Sequence, residues 1–241
     1  MFPDEHERYH RQLLVIGEEG QEKLRKSTVL VVGVGGLGSI ASLYLAAAGV
    51  GRLVLIDNGL VELSNLQRQI LYTTDDLGRP KVYCAAKRLG SLNPSINIHP
   101  IYSEASSDLL RRIISEVDLV VDGLDNWETR IIVDKICYEL RKPFIHAGIH
   151  GFYGQLYIAW PGKTPCLRCV FPRSQKRTDK PIPVFPTTPG ILGLLEANEA
   201  LKILTGIGEP LLNKILVYDG RAGLFDYVEI KSSDCKICEG Q

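Results

Sequence analysis

The chain has 241 residues, 45% hydrophobic and 23% charged, with 28 Lys and Arg against 28 Asp and Glu. That length suits one sizeable α/β domain with an appendage, and zero formal net charge gives no global field to gather DNA, RNA or an anionic membrane. No segment has the length and apolarity of a membrane span, and Met1 to Glu7 lacks the basic and apolar regions of a secretory signal, so a cytoplasmic protein without membrane or nucleic-acid partners is expected.

Residues 1–26 read as an N-terminal helical arm ahead of a Rossmann-like core over 27–160. In the core, short β-branched runs at 28–32, 53–57, 96–101, 118–122 and 144–148 alternate with helical patterns at 37–48, 81–92, 106–115 and 126–140. Each helical pattern is long enough to cross between parallel strands, and several strands are apolar throughout, as when helices cover both faces of a sheet. The rhythm then changes. A strand at 153–160 precedes a loop rich in prolines and cations, with Arg173, Lys176, Arg177 and Lys180, and a helix at 191–204 ends at Gly206. Strands at 215–219 and 224–230 are too close for a helical crossover and read as a hairpin. The expected fold is α/β, a mostly parallel sheet with helices on both faces, extended by antiparallel C-terminal strands. It forms one continuous domain, in which 161–189 is a cysteine knuckle with a crossover loop and 190–241 is the helix, hairpin and second knuckle.

Gly33, Gly35, Gly36 and Gly38 form a G-x-G-x-x-G run between a predicted strand and a predicted helix. In that context the glycines permit a tight turn and close ligand approach, and the helix N-terminus offers unpaired amides to phosphate. Asp57, at the end of the next strand, is placed to accept from ribose hydroxyls. These features also suit a nicotinamide-dependent oxidoreductase, which gives Arg68, Lys81 and Asp125 nothing to do.

The blocks from Asp57 to Gln69, Gly78-Arg79-Pro80-Lys81 and Asp122-Gly123-Leu124-Asp125-Asn126 resemble the adenylation site of the MoeB/ThiF/HesA family, bacterial relatives of the ubiquitin-activating enzymes. The resemblance runs from Arg8-Tyr9-His10-Arg11-Gln12 to the final cysteines. It implies ATP-dependent adenylation of the C-terminal glycine of a small ubiquitin-like or sulfur-carrier protein ending in Gly-Gly. It also implies that Gly36, Asp57, Ser64, Asn65, Leu66, Gln67, Arg68, Lys81, Asp125 and Asn126 line the ATP pocket, and that Arg11 reaches into the partner's site of a homodimer. The chemistry accounts for the residue types. A carboxylate approaching an ATP α-phosphate brings anion to anion, so Arg68, Lys81 and a magnesium ion held by Asp125 would supply the positive charge. A related tRNA-modifying enzyme that activates a carboxylate, or a binding protein that keeps the fold without the chemistry, would use the same framework.

Cys166, Cys169, Cys235 and Cys238 form two C-x-x-C knuckles, the spacing of a closed, structural tetrahedral zinc site. A redox pair or two disulfides would use the same residues. Cys84 and Cys137 lie within helical patterns and read as buried thiols. Many family members carry a further cysteine in the crossover loop, but 172–189 has none here, so adenylation without an enzyme-bound thioester is expected. His146 and His150 flank Gly148 near the strand ends, where either is a candidate for proton transfer.

Overall fold

The computed structural model describes residues 3–172 and 182–230. Helices α1 (Pro3–Arg8) and α2 (His10–Lys26) lead in, and Gly17, at φ 65°, breaks the helical geometry of α2. The core then runs β1 (Thr28–Val32), α3 (Gly36–Ala48), β2 (Arg52–Asp57), two 3₁₀ turns (Leu63–Asn65 and Thr74–Asp76), α4 (Lys81–Leu92), β3 (Asn97–Tyr102), α5 (Ser107–Ile114), β4 (Leu119–Asp122), α6 (Trp127–Glu139) and β5 (Phe144–His150). Beyond it come β6 (Tyr153–Ala159), α7 (Leu167–Val170), α8 (Thr187–Thr205), β7 (Lys214–Asp219) and β8 (Leu224–Glu229).

The strands form one sheet in the order β3-β2-β1-β4-β5-β6-β7-β8. Pairing is parallel from β3 through β5 and antiparallel from β5 through β8. Buried Val, Leu and Ile side chains of β1, β2 and β4 face two apolar cores, one beneath α3, α4 and α8, the other beneath α5 and α6. This double covering explains why those strands read as continuous apolar runs. Between β1 and β4 the strand order reverses, which opens a crevice at the carboxyl ends of the two strands.

Element boundaries fall within one or two residues of the sequence reading except at the start of α8. Helix α8 begins at Thr187, not at 191, and takes in Pro189 in its first turn, where a missing amide forfeits no helical hydrogen bond. The stretch 58–80, which has no regular periodicity, contains two 3₁₀ turns whose ends are tied by the pairs Glu62/Asn65 and Thr73/Asp76. Pro100 sits in β3, an edge strand that tolerates a residue without an amide donor. Among the described residues no helix is long and apolar enough to cross a membrane.

Candidate active site

The chain leaves β1 at Val32 and turns on Gly33, whose φ of +87° favours glycine and whose amide donates to the Ile56 carbonyl at 2.7 Å. The motif glycines differ in what they do. A Cβ on Gly38 would lie 1.9 Å from the Gly33 carbonyl oxygen, and one on Gly36 would lie 3.0 Å from the Pro189 side chain of α8, so both keep the turn compact. A Cβ on Gly35 would meet nothing closer than the Gln69 amide nitrogen at 3.7 Å. Gly35 therefore leaves room at the N-terminus of α3, where unpaired amides and the helix dipole favour an anion.

Asp57 braces this turn. Its carboxylate accepts from the Val34 amide at 2.7 Å and the Gly59 amide at 2.6 Å, one bond to each oxygen. Each oxygen retains a lone pair for a further donor. The buried Tyr72 hydroxyl donates to the Val34 carbonyl at 2.7 Å. Burial pushes that phenol upward and the charge of Asp57 adds to the effect, so it remains a donor.

Two cationic side chains lie beside this turn, each against a different glycine. A Cβ on Gly36 would stand 3.7 Å from Arg68 Cγ, and one on Gly59 would stand 3.4 Å from Lys81 Nζ. Arg68 lies beyond the first 3₁₀ turn, and its guanidinium donates to the Ser64 carbonyl at 3.0 Å. Lys81 opens α4, and its amide bonds the Gly59 carbonyl at 3.0 Å. Among the described residues neither side chain joins a salt bridge. Asp57 Oδ1 also stands near Lys81 Nζ, each within 3.4 Å of the point a Gly59 Cβ would take. The turn thus carries two cations outside any salt bridge among the described residues and one nearby carboxylate, a balance that still favours an anion.

The residues between Ser64 and Arg68 play different parts. Ser64 and Gln67 are exposed, whereas Asn65 is buried and accepts from the Glu62 amide at 3.3 Å, and Leu66 packs on the core. Asn65 and Leu66 thus build the turn that presents Arg68. Gln69 is buried with its Oε1 unpartnered among the described residues, and its amide nitrogen lies next to Gly35. An orphaned polar atom at this position fits a ligand that supplies a donor.

Across the crevice β4 ends at Asp122, and Asp125 stands exposed three residues on. Asn126 Nδ2 approaches the Asp125 carboxylate at 3.4 Å, and Asn126 Oδ1 accepts from the Thr129 amide at 2.9 Å, capping α6. Asp125 has the hard oxygens that magnesium prefers, and no cluster of three potential metal ligands exists among the described residues. That donor set fits an ion held by one carboxylate together with water and phosphate oxygens.

Beneath Asp125 lies a buried ionic group. Asp122 Oδ2 meets Arg130 Nε at 2.5 Å and His146 Nδ1 at 2.6 Å. Burial alone would raise the Asp122 carboxyl, but the Arg130 charge and the bonds from His146 and the Leu124 amide hold it below the usual carboxylate range. Burial and Arg130 together push His146 down, so it stays neutral, packed between Trp127 and Phe171. Burial drives the Glu196 carboxyl of α8 well above the ordinary range, and the nearby Asp122 charge adds to it. His146 is thus an interior residue remote from solvent, while His150 is exposed.

The sulfurs of Cys166 and Cys169 are 3.7 Å apart. Two corners of a tetrahedron with metal–sulfur bonds of about 2.3 Å are about 3.8 Å apart, so the pair fits one edge of a zinc site. Cys169 is disulfide-bonded in the structure. Asp134 accepts the Leu167 amide through both oxygens, at 3.2 and 3.1 Å, and fixes the start of the turn between the two cysteines. Cys235 and Cys238 lie outside the described residues, as do Arg173, Lys176, Arg177 and Lys180.

The profile of the ThiF family matches residues 9–239. The chain belongs to the ThiF family. It is 40% identical to a sulfur carrier protein adenylyltransferase of Thermus thermophilus, over 98% of this chain and 91% of that one. It is also 40% identical to the sulfur carrier protein ThiS adenylyltransferase of Escherichia coli, over 97% and 95%. Among solved structures, E. coli MccB with AMPCPP and MccA superposes with a TM-score of 0.87 at 26% identity, covering 97% of this chain and 74% of that one.

One residue assigned by the ThiF resemblance is not brought to this crevice by a single chain. Arg11 is exposed on α2, and its neighbour Gln12 donates to the Ala48 carbonyl at 2.8 Å, at the far end of α3 from Gly36. The length of α3 puts roughly 18 Å between that end and the glycine turn.

Proposed function

We propose that this ThiF-family chain adenylates the C-terminal glycine carboxylate of a small sulfur-carrier or ubiquitin-like protein ending in Gly-Gly. The carrying observation is that Arg68 packs by its Cγ beside Gly36 and Lys81 by its Nζ beside Gly59, neither in a salt bridge among the described residues, around a glycine turn with room at Gly35. The named relatives support the same reading, since two are sulfur carrier protein adenylyltransferases that match nearly end to end.

In this reading the α3 N-terminus and Gly35 receive the ATP phosphates, and Asp57 uses its remaining lone pairs on the ribose. Lys81 and Arg68 offset the charge that builds when a carboxylate oxygen approaches the α-phosphorus. The new oxygen–phosphorus bond forms as the bond to the bridging oxygen breaks, giving acyl-adenylate and pyrophosphate. Magnesium, when bound beside Asp125, neutralises phosphate oxygens. The crossover segment 172–189 contains no cysteine, so the acyl-adenylate passes to an outside nucleophile without an enzyme thioester.

Zinc at Cys166, Cys169, Cys235 and Cys238, with Cys169 reduced to the thiolate, would fasten the C-terminal tail to the segment after β6, and the 3.7 Å separation of the Cys166 and Cys169 sulfurs fits one edge of such a site. A homodimer would bring a partner's Arg11 to the crevice. Its support is the distance of Arg11 from its own chain's site and the exposure of Leu14 at 73% and Val15 at 75% beside it on α2.

ATP–pyrophosphate exchange with a panel of small Gly-Gly proteins, MccA and a nicotinamide cofactor control tests the substrate. Exchange that depends on a Gly-Gly carrier is expected. Exchange with MccA alone, or a redox turnover with the nicotinamide, would replace this reading.

A further inference from the structure

Arg130 lies in the first turns of α6, only 5% exposed, and its polar bonds converge on the loop before Asp125. Its Nε pairs with Asp122 Oδ2 at 2.5 Å, and its Nη2 donates to the Leu124 carbonyl at 2.6 Å and the Ala147 carbonyl at 3.4 Å. From the other side, Asp122 Oδ1 accepts the Leu124 amide at 2.9 Å. The residue immediately before Asp125 is therefore gripped by both its N–H and its C=O. On the upstream side Gly123 is pressed against Gly33, and on the downstream side Asn126 caps α6. Asp125 itself is exposed and makes only the long contact with Asn126 among the described residues, so its direction is set by this backbone.

Burying Asp122, Arg130, His146 and Glu196 together is an expensive way to fill space, and packed apolar side chains serve stability equally well or better. The fork of Arg130 provides something apolar groups lack, directed bonds at fixed angles to one carboxylate and to the Leu124 and Ala147 carbonyls.

We propose that Arg130 is a positioning residue for adenylation, acting with Asp122 to fix the Leu124 peptide and so hold the Asp125 carboxylate where it serves the nucleotide. Arg130 touches no reactant. The proposal rests on Asp125 acting in the site, and the test separates the two.

A fluorescent ATP analogue is titrated against the full chain in EDTA and at increasing MgCl2, for wild type, Asp125→Asn, Arg130→Lys, the double variant and Glu196→Gln. Arg130→Lys keeps the charge opposite Asp122, and with it the fold, but a single ammonium does not reproduce the fork; Arg130→Gln risks leaving Asp122 buried and unpaired. Arg130→Lys is expected to bind nucleotide like wild type in EDTA and to need about tenfold more Mg2+ for half-maximal tightening, the usual effect of losing a group that orients a metal ligand. The double variant should match Asp125→Asn, and Glu196→Gln, which does not touch Leu124, should match wild type. A wild-type Mg2+ response in Arg130→Lys alongside a lost response in Asp125→Asn overturns the positioning role and leaves the site intact, as do additive losses in the double variant. A wild-type response in Asp125→Asn overturns the site reading itself.

Discussion

Gly123 and Gly33 are packed backbone to backbone: a Cβ on Gly123 would stand 1.9 Å from the Gly33 carbonyl oxygen and 3.0 Å from Gly38 Cα. The glycine turn and the loop that carries Asp125 are thus packed as one unit. Gly123→Ala has no flexible neighbour to displace and should cost about 1–3 kcal/mol of stability or more, with nucleotide binding lost alongside. Gly90→Ala, inside α4 with nothing within 4 Å of the new methyl, should instead stabilise by about 0.5–1 kcal/mol. Chemical denaturation of the two variants checks the contrast, and a neutral Gly123→Ala would contradict the contact.

Glu196 gives a pH dependence of definite sign. In the unfolded chain its carboxyl ionises near the ordinary 4.5, whereas burial keeps the folded carboxyl protonated far above that. Above pH 4.5 the unfolded state therefore binds fewer protons, and this group's contribution to stability falls as pH rises toward its folded pKa. The amide of Glu196→Gln does not titrate. The variant's stability should gain on wild type steadily from about pH 5 to about pH 7, by up to about 1.4 kcal/mol per pH unit, read as a rising difference in thermal midpoint. A gap constant across that range would show that Glu196 is ionised in the fold.

The sulfur pair at Cys166 and Cys169 predicts metal-dependent stability. Purified under reducing conditions, the chain should retain stoichiometric zinc, and a chelator or Cys166→Ser should lower the unfolding temperature while removing the metal. A metal-free, reductant-sensitive protein of equal stability would assign the disulfide at Cys169 the structural role instead.

Much of the parallel core is legible from residue pattern because β1, β2 and β4 are buried on both faces and read as unbroken apolar runs. The glycine turn reads equally well, since only glycine fits where Gly33 and Gly38 meet. Legibility fails where side chains act through tertiary contacts. Tyr72 is one aromatic in an aperiodic stretch, yet it anchors the glycine turn by a bond to a residue 38 positions away. Gln69 closes a motif whose charged members draw the eye, and only its burial beside Gly35 marks it out. Arg130 and Asp122 sit eight positions apart and look like an ordinary helix cation and a strand-end acid until the fold buries them together. His146 reads as available for proton transfer from its place near a strand end, but its ring points into the core.

The most direct test of the account is ATP–pyrophosphate exchange, with the Gly-Gly carrier that supports it, in Lys81→Ala, Arg68→Ala and Asp125→Ala. Each should lose on the order of 10²–10³ in rate while keeping the wild-type unfolding temperature, because each side chain is set at the crevice and not in the core. Wild-type exchange rates in all three variants would contradict the claim that these charges bring two anions together at the glycine turn.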